Sequence, residues 1–166
     1  SLQYRLLRRF KQLRVPATAT IAIAKACQCD CTHCSAVYYN HSSKKVLGYE
    51  DCQLAIMQSI KLGASTIILL GGEPMLNPRI IELLNSVPKD HAHVIMFSNG
   101  EFFTPEICRQ LKLAGLMGVF VSIDSTNADE HDRLRKRPGL FGKALAGINN
   151  LQREGILVGI SSYLSH

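Results

Sequence analysis

No stretch of this 166-residue sequence approaches the roughly 18 consecutive apolar residues of a membrane-spanning helix. The charged start is not followed by an apolar h-region, so no secretory signal is legible. Low-complexity runs, sequence repeats and interdomain linkers are missing as well, and one domain with a proper core is the expectation for this length. Charged residues are few, 19% against 46% hydrophobic, which fits a globular protein and excludes a disordered one. Cysteine is sparse outside one place. Cys52 and Cys108 stand alone in helix-like segments, where a thiol serves as a small buried hydrophobe. A secreted disulfide scaffold would spread its cysteines along a short, loop-rich chain; their clustering here favours a reducing, cytoplasmic setting.

The net charge of +6 sits largely at the front, in "YRLLRRFKQLR". Leu6, Leu7, Phe10 and Leu13 recur there at helical spacing. A basic amphipathic helix is expected over residues 1–16, packed on a core domain spanning 17–166; contact with nucleic acid or a membrane surface is the alternative use of such a helix.

From residue 17 the chain alternates. Strands are expected over 17–24, 65–70, 93–97, 118–123 and 156–164. Helices are expected over 49–63, 77–87, 104–115, 127–135 and 140–155. The helix over 77–87 should open on an Asn77 cap with Pro78 at its first position. "STIILL" is continuous and apolar, as in a strand buried on both faces. Alternation with short connections predicts a mostly parallel α/β sheet. The sequence stops straight after a strand with no covering helix, the pattern of a domain incomplete at its C-terminal end.

Parallel α/β architectures place their sites at the carboxyl ends of the strands, and the least ordinary residues fall there. The first strand is followed by "CQCDCTHC" (27–34), the second by "GGEPM" (71–75) and the third by "SNG" (98–100). The fourth ends in "SID" (122–124). Cys27, Cys31 and Cys34 form C-x3-C-x2-C. Thiolates so spaced suit zinc, with Cys29 or His33 completing four ligands, or an iron–sulfur cluster, in which three ligands leave one iron open. Gly71 and Gly72 permit close backbone approach, and Glu73 can accept from an ammonium group. Ser122 and Asp124 share a face and can bond the hydroxyls of a sugar. Plainer roles exist for several of these: Asp124 as a helix cap, Ser98 and Asn99 as a turn, Cys29 as a small hydrophobe.

With these motifs in this order, the sequence resembles the radical S-adenosylmethionine (SAM) enzymes. "HDRLRKRPGLFGKAL" is similar to the corresponding stretch of members with C-terminal auxiliary clusters. The resemblance implies a partial (β/α)6 TIM-like barrel, with five of the six strands present. It implies that Cys27, Cys31 and Cys34 ligate a [4Fe–4S] cluster whose open iron is chelated by the amino and carboxylate groups of SAM. Gly71, Gly72 and Glu73 would hold the amino group, Ser122 and Asp124 would face the ribose, and Ser98 and Asn99 would lie nearby. Arg135 would pair with the carboxylate, and His33 would stand beside the adenine. The implied activity is reductive cleavage of SAM to a 5′-deoxyadenosyl radical that abstracts hydrogen from a substrate, a peptide or cofactor precursor. An electron donor such as flavodoxin or ferredoxin is implied with it. Gln28, Cys29 and Asp30 depart from the family's usual residues between the first two cysteines. The competing readings are a zinc-binding structural or nucleic-acid interaction module, and an inactive fragment that keeps the motif.

Overall fold

The computed structural model describes residues 15–34, 36 and 47–163. The basic helix expected at the front therefore falls outside the described residues, apart from Val15 and Pro16.

Five strands form one sheet: β1 (Thr18–Ala24), β2 (Thr66–Gly71), β3 (His93–Ser98), β4 (Leu116–Ser122) and β5 (Leu157–Ser161). Their spatial order equals their chain order, and every neighbouring pair is parallel. The connections carry α1 (Tyr49–Lys61), a 3₁₀ turn (Pro74–Leu76) with α2 (Ile80–Asn85), α3 (Pro105–Leu113), then α4 (Ala128–Arg135) and α5 (Leu140–Arg153). Parallel crossovers are almost always right-handed. Stepping each time to the same side puts all the helices on one face, which is the singly wound plan of a barrel wall.

Strand alternation sorts the side chains accordingly. Ile21 and Ile23, Ile67 and Leu69, Val94 and Met96, Val119 and Val121 are buried on the helical side. They meet Cys52 and Ile56 of α1, Leu83 and Leu84 of α2, Cys108 and Leu111 of α3, and Ala144 and Leu151 of α5. Both isolated cysteines are thus the buried hydrophobes expected of them. The expectation that residues 65–70 are buried on both faces is corrected: Ile68 and Leu70 are only partly buried. The opposite face of the sheet opens instead onto a cavity that Ala22, Leu70 and Phe97 line.

Caps account for two of the helix starts. Thr104 Oγ1 accepts from the Ile107 amide at 3.3 Å, with Pro105 at the first helical position. Asn127 Oδ1 accepts from the Glu130 amide at 3.0 Å. The helix expected from Asn77 starts only at Ile80. Asn77 Oδ1 accepts from the Arg79 amide at 3.0 Å, a local turn, while its Nδ2 donates to the Ile23 carbonyl at 2.8 Å. Pro78 and Arg79 form that turn, and the helix begins after it. β4 begins two residues before the expected start, and β5 ends at Ser161 rather than 164.

Leu69 is fully enclosed in the centre of the sheet. Leu69→Ala should cost about 2–5 kcal/mol, lowering the urea midpoint at unchanged slope; an unmoved midpoint would remove Leu69 from the core.

Candidate active site

The carboxyl ends of the strands surround a cavity of about 800 Å³, within the roughly 300–1,000 Å³ common for small-molecule sites. Cys27, Cys31, His33 and Cys34 line it from the first loop; Gly71, Gly72 and Glu73 from the second; Ser98 and Asn99 from the third; Ser122, Asp124 and Arg135 from beyond β4. All the residues singled out in the sequence are therefore brought to one place.

The glycines have a reason beyond ligand approach. A register shift between Ala22 and Ala24 ends the β1–β2 ladder, and the cysteine loop folds back across the end of β2. The Gly72 amide donates to the Ala24 carbonyl and the Glu73 amide to the Ala26 carbonyl, both at 2.8 Å. A Cβ on Gly71, whose φ is 149°, would lie 2.0 Å from Ala24 O; one on Gly72 would lie 2.3 Å from Ala26 O. No side chain fits there.

Glu73 is buried to 1% exposure. Its carboxylate accepts from Ser98 Oγ at 2.8 Å and from the Asn99 and Met75 amides at 2.9 and 3.1 Å. Burial nevertheless pushes its pKa up to about 7, against those three hydrogen bonds and with the nearby Cys27 thiolate adding to the rise. All three donors are uncharged, so the carboxylate is solvated but not neutralised.

The thiols are half-buried and none is in a disulfide. Hydrogen bonding from the Cys29 thiol holds Cys27 down to about 6 and Cys31 down to about 7. Sharing its proton with these two sulfurs pushes Cys29 up. Thiolate is the ligating form, so the loop favours it at two of the three motif positions. The Cys29 amide also donates to Cys27 Sγ at 3.4 Å. Among the described residues no three His, Cys, Asp or Glu side chains close around a single-ion site.

Asp124 is a junction. Its side chain is fully buried; Oδ2 lies 2.8 Å from Arg135 Nε and 3.5 Å from His33 Nε2. Oδ1 accepts from the Tyr163 amide at 3.0 Å. The His33 ring stacks on Tyr163 with centroids 4.4 Å apart. Capping is not its role, since Asn127 caps α4. The charge run "RLRKR" is resolved by burial: Arg135 turns inward, and its Nη1 donates to Cys31 Sγ at 3.9 Å.

Two residues carried no signal in the sequence. His131 is wholly buried, and its Nδ1 accepts from the Asp124 amide at 3.2 Å. Glu101, just past "SNG", accepts from Gln28 Nε2 at 2.7 Å, Arg137 at 2.8 and 3.1 Å, and Lys143 at 2.6 Å. Gln28 also donates to Asn99 Oδ1 at 3.2 Å. The departure at position 28 is therefore matched by partners 71 and 73 residues away. Periodicity cannot reveal such pairs. On the other side of the loop, the Asp30 and Thr32 amides donate to the carbonyls of Arg135 and Leu134 at the end of α4.

Residues 21–165 match the model of the radical SAM superfamily, and the chain belongs to it. It is 32% identical over 131 residues to an AdoMet-dependent heme synthase of Methanosarcina barkeri, covering 79% of this chain and 38% of that protein. It is 27% identical to the mycofactocin maturase MftC of Mycolicibacterium smegmatis, over 91% of this chain and 38% of that one. Among solved structures, SuiB of Streptococcus suis bound to its precursor peptide SuiA superimposes with a TM-score of 0.77 at 16% identity, over 99% of this chain and 37% of SuiB. SuiB has also been solved bound to SAM. The chain spans about two fifths of the length of these relatives. The parallel five-stranded wall fits the partial barrel expected from the sequence.

Hydrogen bonds from Arg137 first, then Lys143 and Gln28, hold Glu101 down to about 2 from an ordinary 4.5. The stability this confers is complete above about pH 4.5 and is lost as pH falls toward 2. Glu101→Gln should melt below wild type near neutral pH, and the gap should close on acidification. A gap that does not depend on pH would rule out the charged network as its cause.

Proposed function

We propose that this chain is the cofactor-binding core of an enzyme that cleaves SAM reductively at a [4Fe–4S] cluster and uses the resulting radical to take hydrogen from a peptide or cofactor precursor. The observation that carries this is the meeting of C-x3-C-x2-C thiols, the Gly71–Glu73 bend and the Ser98–Asn99 turn around one cavity.

The residues fit the group. Cys27, Cys31 and Cys34 present free thiols on one loop facing the cavity, two of them biased to thiolate. When bound, the cluster supplies the electron that splits SAM into methionine and a 5′-deoxyadenosyl radical. An ammonium group takes acceptors only; the amides of Gly72 and Glu73 are already spent on the cysteine loop, so the acceptors offered are backbone carbonyls of this bend and the un-neutralised Glu73. Asn99 Nδ2 is buried without a partner, as is His33 Nδ1. These are the kind of orphaned polar atoms that a ligand satisfies. Ser122 lines the same cavity, and on this reading its hydroxyl would bond the ribose. Asp124 serves this reading chiefly by holding Arg135, whose Nη2 makes no hydrogen bond among the described residues and suits the carboxylate of SAM.

Likeness to the mycofactocin maturase MftC and to the subtilosin biosynthesis protein AlbA makes a peptide the first substrate class to test. A flavodoxin or ferredoxin is the fitting electron donor. The unpaired cysteines and the lack of any helix long and apolar enough to cross a membrane among the described residues agree with a cytoplasmic setting.

Anaerobic reconstitution with iron and sulfide should give broad absorption near about 400 nm, from thiolate-to-iron charge transfer, that SAM perturbs. Alanine at Cys27, Cys31 or Cys34 should abolish it together with 5′-deoxyadenosine formation, whereas Cys29→Ala should retain it. A colourless wild-type protein holding stoichiometric zinc would overturn the proposal.

A further inference from the structure

Arg135 is committed at two points that the proposed binding of SAM does not require. Its Nε sits 2.8 Å from Asp124 Oδ2, in a pair whose carboxylate is fully enclosed. Its Nη1 donates to Cys31 Sγ at 3.9 Å, a long contact suited to the large radius of sulfur. The backbone fixes this placement. Arg135 is the last residue of α4, and the Arg135 and Leu134 carbonyls accept the Asp30 and Thr32 amides on either side of Cys31. Its neighbours in the charge run go elsewhere: Lys136 pairs with Asp30 at 2.9 Å and Arg137 with Glu101 at 2.8 Å. Arg135 is the member of that run that reaches a motif sulfur.

We propose that Arg135, positioned by Asp124, sets the reduction potential of the cluster through the Cys31 sulfur. This rests on the reading of Cys27, Cys31 and Cys34 as cluster ligands. One-electron reduction, by an external low-potential donor, adds one negative charge to the cluster, part of which spreads onto its thiolate sulfurs. An N–H donor and a cation at such a sulfur stabilise the reduced state more than the oxidised one, and so raise the potential. Burial weakens the screening that would blunt this in water. The Asp124 carboxylate acts on the same centre with opposite sign while holding the guanidinium in place. Arg135 is thus a positioning residue for electron entry, separate from any grip of Nη2 on SAM.

The test is a spectroelectrochemical titration of the full-length, anaerobically reconstituted protein without SAM, after iron content has been measured. Arg135→Gln should shift the one-electron equilibrium toward the oxidised cluster by at least tenfold, about 59 mV downward. Arg135→Lys, which keeps the charge but loses the fork, should fall between it and wild type. A merely structural role would cost iron without ordering the potentials of loaded protein. The inference is overturned if fully loaded Arg135→Gln shifts less than about threefold, or if Arg135→Lys shifts as far as Arg135→Gln or further. A wild-type protein that assembles no cluster removes the functional proposal itself, whereas a loaded cluster indifferent to Arg135 removes only this inference.

Discussion

The cysteine loop must cross the end of β2 at hydrogen-bonding distance, and most of the site follows from that crossing. Two amide-to-carbonyl bonds of 2.8 Å join Gly72 and Glu73 to Ala24 and Ala26. They place the loop over the cavity and turn Glu73 inward. The contact leaves no room for a Cβ at 71 or 72. The glycines therefore act on the loop that carries the thiols before they act on any ligand. Glu73 then faces a low-dielectric interior, where only uncharged donors meet it and its proton affinity rises.

The opposite flank of the same loop is held by charge. Three consecutive basic residues at the end of α4 take three different anchors. Arg135 faces Asp124 and Cys31, Lys136 faces Asp30, and Arg137 faces Glu101. The exposed Lys136 pair contributes little on its own. The enclosed Asp124–Arg135 pair differs, because removing either partner would strand a buried charge. Glu101 extends the clamp to Gln28 and so reaches between the first two cysteines. Backbone bonds on both flanks, joined by ion pairs on the α4 side, thus define where the sulfurs sit.

Much of the fold was legible because it is periodic. The alternation of Ile21 with Ile23 or Val119 with Val121 is a local signal of a strand with one buried face. Thr104 with Pro105, and Asn127, mark helix starts by local chemistry. Asn77 misled because its Oδ1 closes a turn on the Arg79 amide while its Nδ2 ties that turn to the Ile23 carbonyl, and the helix begins three residues later. "STIILL" misled because a continuous apolar run does not say whether its second face meets protein or a cavity.

The sequence by itself determined the chemistry on offer: three thiols at C-x3-C-x2-C, a carboxylate after two glycines, and a parallel strand–helix alternation that delivers them to one rim. These depend on residue type and short-range spacing, which the chain spells out directly. Tertiary structure alone decided the partners. It set Arg135 rather than another residue of "RLRKR" beside Cys31, gave Asp124 to that arginine, and made Glu101 and His131 part of the site. Those contacts join residues up to about a hundred positions apart, and only the packing of α4 and the cysteine loop against the strand ends determines which charges meet.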